Sequence, residues 1–254
     1  MKKVFIIAMR EWGHFFQTPF AMVVLTIFLV ICGTYFNTAL ESYMAIVNPA
    51  DTTVKIRGAN VNLHLVLPFF KDVLNLLLFI IPLITMRCFA EEKKLGTYDL
   101  LISYPIKPWE LLLGKYIGIA SLILTLLAMS SVYLVAVFLR SEPYLPQIYT
   151  TYLGYALFLL FYTAVGVVAS LATENQIVAA IFTYLILLGA AIVQWAAFIM
   201  PAPWDRLFAH FLVLAQLESF RGGIIFLGDI VGYLSFTILL LVVGELKIRR
   251  HFAR

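Results

Sequence analysis

The stretch "PFFKDVLNLLLFIIPLITMRCFAEEKKLGTYDLLISYPI", residues 68–106, begins as an apolar run and ends as a charged one. Its first part, Pro68 to Phe89, is long enough to cross a hydrocarbon core of roughly 30 Å as a helix rising about 1.5 Å per residue. In the second part Leu95, Tyr98 and Leu101-Ile102 recur at helical spacing, while Glu92, Lys93, Gly96 and Asp99 take the remaining surface. This pattern predicts a short amphipathic helix over 91–104, lying along a membrane face and tied to a span at each end. Gly96 costs such a helix about 1 kcal/mol against Ala, which is expected where something approaches the backbone closely. Pro105 and Pro108 end the helix and restart the chain.

The whole chain follows the first part of that stretch. Of its 254 residues 63% are hydrophobic and only 13% charged, and the mean hydropathy is +0.96, beyond what a soluble domain carries. Six apolar runs are long enough to span: Phe20 to Leu40, Pro68 to Phe89, Leu111 to Leu139, Thr151 to Ala172, Ile177 to Met200 and Asp229 to Glu245. The fold class expected is an all-α membrane protein of one domain. An even number of spans puts both termini on one side. With the N terminus inside, Lys2, Lys3, Arg10, Arg87, Lys93, Lys94, Lys107, Lys115, Lys247, Arg249, Arg250 and Arg254 are inside, against Lys55, Arg57, Lys71, Arg140, Arg206 and Arg221 outside. That two-to-one excess favours cytoplasmic termini.

The net charge of +4 is small and dispersed, so no nucleic-acid partner is expected. Cys32 and Cys88 lie in runs that cross in opposite directions, so no disulfide is expected. Met1-Lys2-Lys3 followed by Val4 to Met9 imitates a signal peptide, but Arg10-Glu11 interrupts the apolar stretch too early, so no cleaved leader is expected.

Between the runs, residues 1–18 place Phe5, Met9, Trp12 and Phe16 on one side and Lys3, Arg10, His14 and Gln17 on the other. This predicts an amphipathic helix lying along the inner interface, as an anchor or as a docking surface. Residues 41–67 read as an outward loop with turn signals at Asn48-Pro49-Ala50-Asp51 and Gly58-Ala59-Asn60. From Pro201 to Gly228, the run Leu207 to Leu217 is too short to span and is followed by Glu218, Arg221 and Gly222-Gly223. Two short re-entrant helices in the outer leaflet fit this better than a loop on the membrane surface.

The chemistry of other classes is missing from the sequence. Ionisable groups at mid-membrane mark proton and ion pathways, but Lys71 and Asp72 fall at the outer start of the second span and Lys115 at the inner start of the third, within snorkelling reach. Asn75 and Gln194 go deeper and read as interhelical hydrogen-bond formers. His14, His64, His210 and His251 are scattered, without a second ligand at helical spacing, so no metal site is expected. The only Gly-Lys, Gly114-Lys115, is followed by Tyr116 and lacks the phosphate-cradling loop. Asp205, Glu218 and Asp229 gather on the outside, where they pair with Arg206 and Arg221 or serve a membrane-embedded enzyme.

Arg87, Glu91-Glu92-Lys93, Gly96-Thr97, Asp99, Leu100-Leu101, Ser103, Pro105-Ile106, Glu110 and Leu113-Gly114-Lys115 resemble the signature of ABC type 2 permeases, the exporter-type membrane subunits of ATP-driven transporters. Leu217-Glu218-Ser219-Phe220, Gly223, Asp229 and Tyr233-Leu234-Ser235 resemble the segment before the last span in the branch of gliding-motility and nitrous-oxide-reductase maturation permeases. Gln216, Gly222 and Phe226 depart from that branch, where His, a basic residue and an acid are common.

The resemblance covers the whole chain and implies a single ABC type 2 transmembrane domain over residues 1–254. It makes 91–104 a coupling helix docking on a separate ATPase subunit. Glu91, Glu92 and Asp99 would orient that docking, Leu95 and Tyr98 anchor it, and Lys93, Gly96 and Thr97 complete the interface. The N-terminal helix becomes a connecting helix beside it, and Glu218, Phe220, Gly223 and Asp229 an outer gate. The implied protein is not an enzyme and binds no cofactor, MgATP being held by the partner. It sits in the bacterial inner membrane and works with a second copy or a sister permease. The alternative is a secondary transporter or channel working alone.

Overall fold

Prolines set where several of the long helices begin and where one of them is divided. A computed structural model describes residues 2–17, 19–47, 60–104, 106–197 and 216–252. Asp205, Arg206, His210, the turn signals of 48–59 and the first part of the short outer run, 207–215, lie outside the described residues, as do the side chains of Asp99, Ile102, Gln194 and His251.

The helices are α1 (Lys2–Gln17), α2 (Pro19–Val47), α3 (Leu67–Thr85, preceded by a π turn at Asn62–Val66), α4 (Arg87–Lys94), α5 (Thr97–Ser103), α6 (Pro108–Phe138), α7 (Leu145–Ala172), α8 (Gln176–Ala197), α9 (Gln216–Arg221) and α10 (Leu227–Phe252). Among the described residues there is no strand. Pro68, Pro108 and Pro146 stand in first turns, where a missing N–H would have no intrahelical partner anyway. Pro82 lies inside α3, removes one bond of its ladder, and the helix is divided at Met86.

Six segments are long and apolar enough to cross a membrane: α2, α3 running into α4, α6, α7, α8 and α10. The protein is therefore the all-α, multi-pass membrane protein that its hydropathy implies. Several helices overrun the apolar runs. α2 continues to Val47, α7 begins at Leu145 and α10 ends at Phe252, so the outward segment expected at 41–67 is helical up to Val47 and helical again from Val61. The polar residues at the end of α2 are satisfied within the helix: Asn37 Nδ2 donates to Glu41 Oε1 at 2.8 Å and Ser42 Oγ to the Thr38 carbonyl at 2.9 Å. Hydropathy marks where a helix leaves lipid, not where its ladder stops.

The bundle is layered around α7. Its most apolar window is 67% buried and that of α3–α4 61%, against 17% for α2, α8 and α10, whose outward faces carry Met22, Ile27, Leu185, Ile192, Leu239 and Val242. Aromatic rings knit the centre. Phe70 meets Tyr152 edge-on at 4.7 Å, Phe36 meets Phe69 at 5.5 Å, and Phe158 lies 6.2 Å from Tyr233. Small residues let helices approach, as they do where lipid supplies no hydrophobic drive between them. Gly166 of α7 faces Thr85 of α3, and Gly154 of α7 lies under Phe220 of α9. Asn75, expected to bond between helices, instead faces outward on α3.

Candidate functional site

The site is an elbow at one end of the bundle, and its shape follows from Gly96. Helix α4 ends with the Leu95 N–H on the Glu91 carbonyl at 3.0 Å and the Gly96 N–H on the Lys93 carbonyl at 3.1 Å. Gly96 is left-handed, with φ of 70°, the usual way to stop a helix. The single helix expected over 91–104 is thus two, α4 continuing the second span and α5 leaving it at an angle. A Cβ on Gly96 would meet nothing within 4 Å in this chain, so within the chain it is the left-handed turn that calls for glycine. Gly96→Ala is expected to cost about 1–2 kcal/mol through backbone conformation alone, and Gly96→Asn less. Thermal unfolding of the solubilised protein checks both.

Buried charge fastens the elbow to the bundle. Lys115 of α6, with a side chain only 3% exposed, places Nζ 2.7 Å from Glu92 Oε1 on α4 and 3.0 Å from Glu11 Oε1 on α1, and donates to the Cys88 carbonyl at 2.9 Å. Arg10 approaches Glu92 at 3.9 Å, so two acids and two bases balance. The same ammonium lies 5.2 Å above the Phe89 ring. Lys115 does not snorkel; it is the pin between three helices. α1 can reach it because Gly114 and Gly118 leave room on α6: a Cβ there would lie 2.6 Å from Ile7 Cβ or 2.8 Å from Glu11 Cβ. Their spacing is that of a small-residue helix crossing, and α1 is clamped along α6 as well as being amphipathic.

A second fastening uses the division at Met86. There the N–H groups of Phe89 and Ala90 donate to Ser170 Oγ of α7, each at 3.0 Å, while that hydroxyl donates to the Met86 carbonyl at 3.0 Å. Lys93 Nζ donates to the Leu171 carbonyl at 2.6 Å and lies 5.3 Å over the Tyr98 ring.

The structure sorts the expected docking residues. Glu92 and Lys93 are engaged inside, and Tyr98 is 4% exposed, edge-on to Phe89 at 6.2 Å; these three face the bundle rather than outward, which corrects Tyr98 as an external anchor. Glu91 is half-buried, and Leu95, Gly96 and Thr97 are exposed. Leu95 is 67%, Leu100 63% and Tyr104 62% exposed, making an apolar tip on a charged end. Leu100 stood in the sequence only as part of the quoted signature and Tyr104 only as the end of the coupling helix; neither was marked as a docking residue.

At the far end, α9 closes over α7. The Phe220 side chain is fully buried, its carbonyl accepts the Thr150 hydroxyl at 2.9 Å, and Gln147 Nε2 donates to the Arg221 carbonyl at 2.9 Å. Gly223, with φ of 82°, ends α9 against Gln147. Glu218 points outward and pairs with Arg221 at 2.7 Å; Asp229 stands in the first turn of α10. Asn62, which no sequence pattern marked, ties this end together through the Tyr144 carbonyl at 2.9 Å and Gln147 Oε1 at 3.0 Å. Among the described residues, His, Cys, Asp and Glu form no group that could hold a metal ion, and Cys32 and Cys88 are buried free thiols.

A six-span helical bundle with a charge-pinned elbow at one end and a short packed helix at the other defines a multi-pass membrane protein. Residues 73–214, more than half of the chain, match the family described as ABC-2 family transporter protein. The chain belongs to that family: it is a permease, the membrane subunit of an ABC transporter, and this family generally works with ABC ATPase subunits. No curated protein matches the chain.

Proposed function

We propose that this permease receives force at the elbow from a separate ATPase subunit and passes it through the bundle, for export or for mechanical transmission across the membrane. The observation that carries this reading is an apolar tip, Leu95, Leu100 and Tyr104, set on a turn whose root is pinned to α1, α6 and α7. A tip that only sat against lipid would not need a root fixed by buried charge, which is costly to desolvate. The elbow end also gathers Lys2, Lys3, Arg10, Arg87, Lys93, Lys94, Lys107, Lys247, Arg249 and Arg250, which supports a cytoplasmic elbow and cytoplasmic termini in the bacterial inner membrane.

The mechanism is a rigid-body one. MgATP on the partner draws two ATPase subunits together. α5 follows, and the Glu92–Lys115–Glu11 pin turns that movement into a tilt of α1 with α6, while Ser170 and Lys93 carry α7. Two permeases, copies or sister subunits, rock between inward and outward states. Glu91 and Asp99 orient the docking, and Gly96 and Thr97 set its angle. Phe220 and Gly223, with Glu218 and Asp229 beside them, form the outer gate that α7 opens. The resemblance of the two sequence blocks quoted above supports a kinship with the gliding-motility and nitrous-oxide-reductase maturation permeases. The test is Leu95→Asp with Leu100→Asp. Two exposed hot-spot side chains replaced by charge are expected to weaken ATPase co-purification roughly 100-fold while leaving the melting temperature unchanged. Undiminished co-purification sinks the docking assignment.

A further inference from the structure

Helix α3 packs against α2, α6, α7 and α8 and leaves one lane open: Lys71, Asn75, Phe79 and Leu83 recur every fourth residue and are exposed. Phe79 is 66% and Leu83 45% exposed. Asn75 lies two turns into the apolar run that opens at Pro68, about 10 Å towards the middle of the span. It is an amide at hydrocarbon depth, and among the described residues it makes no hydrogen bond. Facing lipid, such a group has lost the partners that water gave it, which is why asparagines in spans bond to another helix. The lane is also held in shape. The Tyr184 hydroxyl of α8 donates to the Phe79 carbonyl at 2.6 Å, and the two rings lie 5.8 Å apart. Elsewhere the outward faces are plain hydrocarbon, as at Leu185 and Ile192 of α8 and Leu239 and Val242 of α10, and lipid satisfies them.

We propose that a second copy of this chain packs on the α3 lane across a two-fold axis along the membrane normal, the Asn75 amides of the two copies bonding to each other. This rests on the pair of permeases in the proposed function and decides between its two forms, a copy rather than a sister subunit. Both copies cross the membrane in one sense, so the symmetry sets like residues at like depth. An amide meets that demand, because it carries donor and acceptor together and can bond its own image reciprocally. Lys71, at the outer end of the lane, would repel its image. It makes no ion pair among the described residues of its own chain, and Asp72, next to it on the helix, offers each lysine the carboxylate of the other copy. A lane at four-residue spacing suits helices that cross at about −50° with these ridges interdigitated. The contact is therefore local, centred on Asn75 and Phe79.

The experiment introduces Asn75→Cys or Phe79→Cys into the full-length protein in native membranes and oxidises with copper phenanthroline. Both are expected to give a disulfide-linked dimer of the chain, since residues beside the axis come within disulfide reach, whereas Leu239→Cys on α10 stays monomeric. Dimer dissociation on dilution into lipid, read by energy transfer between labelled copies, should rise about tenfold in Asn75→Leu, the loss of one interhelical amide contact, and return towards the original in Asn75→Gln. An adduct only with a different permease, no adduct at either position, labelling of Asn75→Cys by an impermeant maleimide in place of an adduct, or an Asn75→Leu dimer as tight as the original each overturns the proposal. ATPase co-purification, scored in the same membranes, tests the force-receiving role separately. A self-adduct without an ATPase subunit keeps this contact and sinks that role, and an ATPase subunit without the self-adduct does the reverse.

Discussion

Lys115→Met is expected to cost about 3 kcal/mol of stability, the lower part of the roughly 3–5 kcal/mol seen when one partner of a buried ion pair is removed. Methionine keeps the side chain up to the atom before the ammonium, so aliphatic packing is largely retained and the loss is that of the cation: its two ion pairs, its bond to the Cys88 carbonyl and its place over the Phe89 ring. Glu11 and Glu92, 19% and 16% exposed, would face each other without the cation between them, and their residual contact with water places the cost at that end. Thermal unfolding of the solubilised protein reads the loss directly. Neutralising the triad as a set, Glu11→Gln with Lys115→Met and Glu92→Gln, should recover most of it, because no buried charge is then left alone. A single variant that melts like the unaltered protein, or a triple variant no better than the single one, would remove the pin from the account.

The second large effect is expected at the far end. In Gly154→Leu the first added atom would lie 2.5 Å from Phe220 Cβ and Cγ. Phe220 has nowhere to retreat, since its ring lies 6.4 Å from Tyr233 and its carbonyl is held by Thr150. Overpacking of this kind costs about 1–3 kcal/mol per site, with leucine at the upper end, and should lift α9 away from α7. The size-swapped pair Gly154→Leu with Phe220→Ala should be markedly more stable than the sum of the two single changes predicts, as contacting residues are. Simple additivity would mean that α9 does not rest on this glycine.

These two sites show where the sequence was readable. The six spans and the amphipathic character of α1 follow from hydropathy and period, which depend on each residue's own chemistry. The elbow was legible as a charged segment between spans, and its tip as apolar residues at helical spacing. Its break was not, because Gly96 reads as a tolerated helix residue until its backbone conformation is seen. Lys115 looked like an interfacial lysine because its two acids come from helices distant in sequence, and Gly114 and Gly118 looked like ordinary small residues until α1 was laid across them. Tyr98 shared a helical face with Leu95, but the turn between them sends one inward and leaves the other exposed. Partners brought together by folding leave little trace in local pattern.

Force transmission from an ATP-hydrolysing partner through the elbow is tested most directly by cross-linking from Leu100→Cys in intact membranes. Cys32 and Cys88 are buried and give little background. The account predicts an adduct with an ATPase subunit whose yield changes when nucleotide is bound, and no reaction of the introduced thiol with an impermeant maleimide added outside cells. Labelling from outside, or an adduct population that never contains a nucleotide-binding subunit, would contradict it.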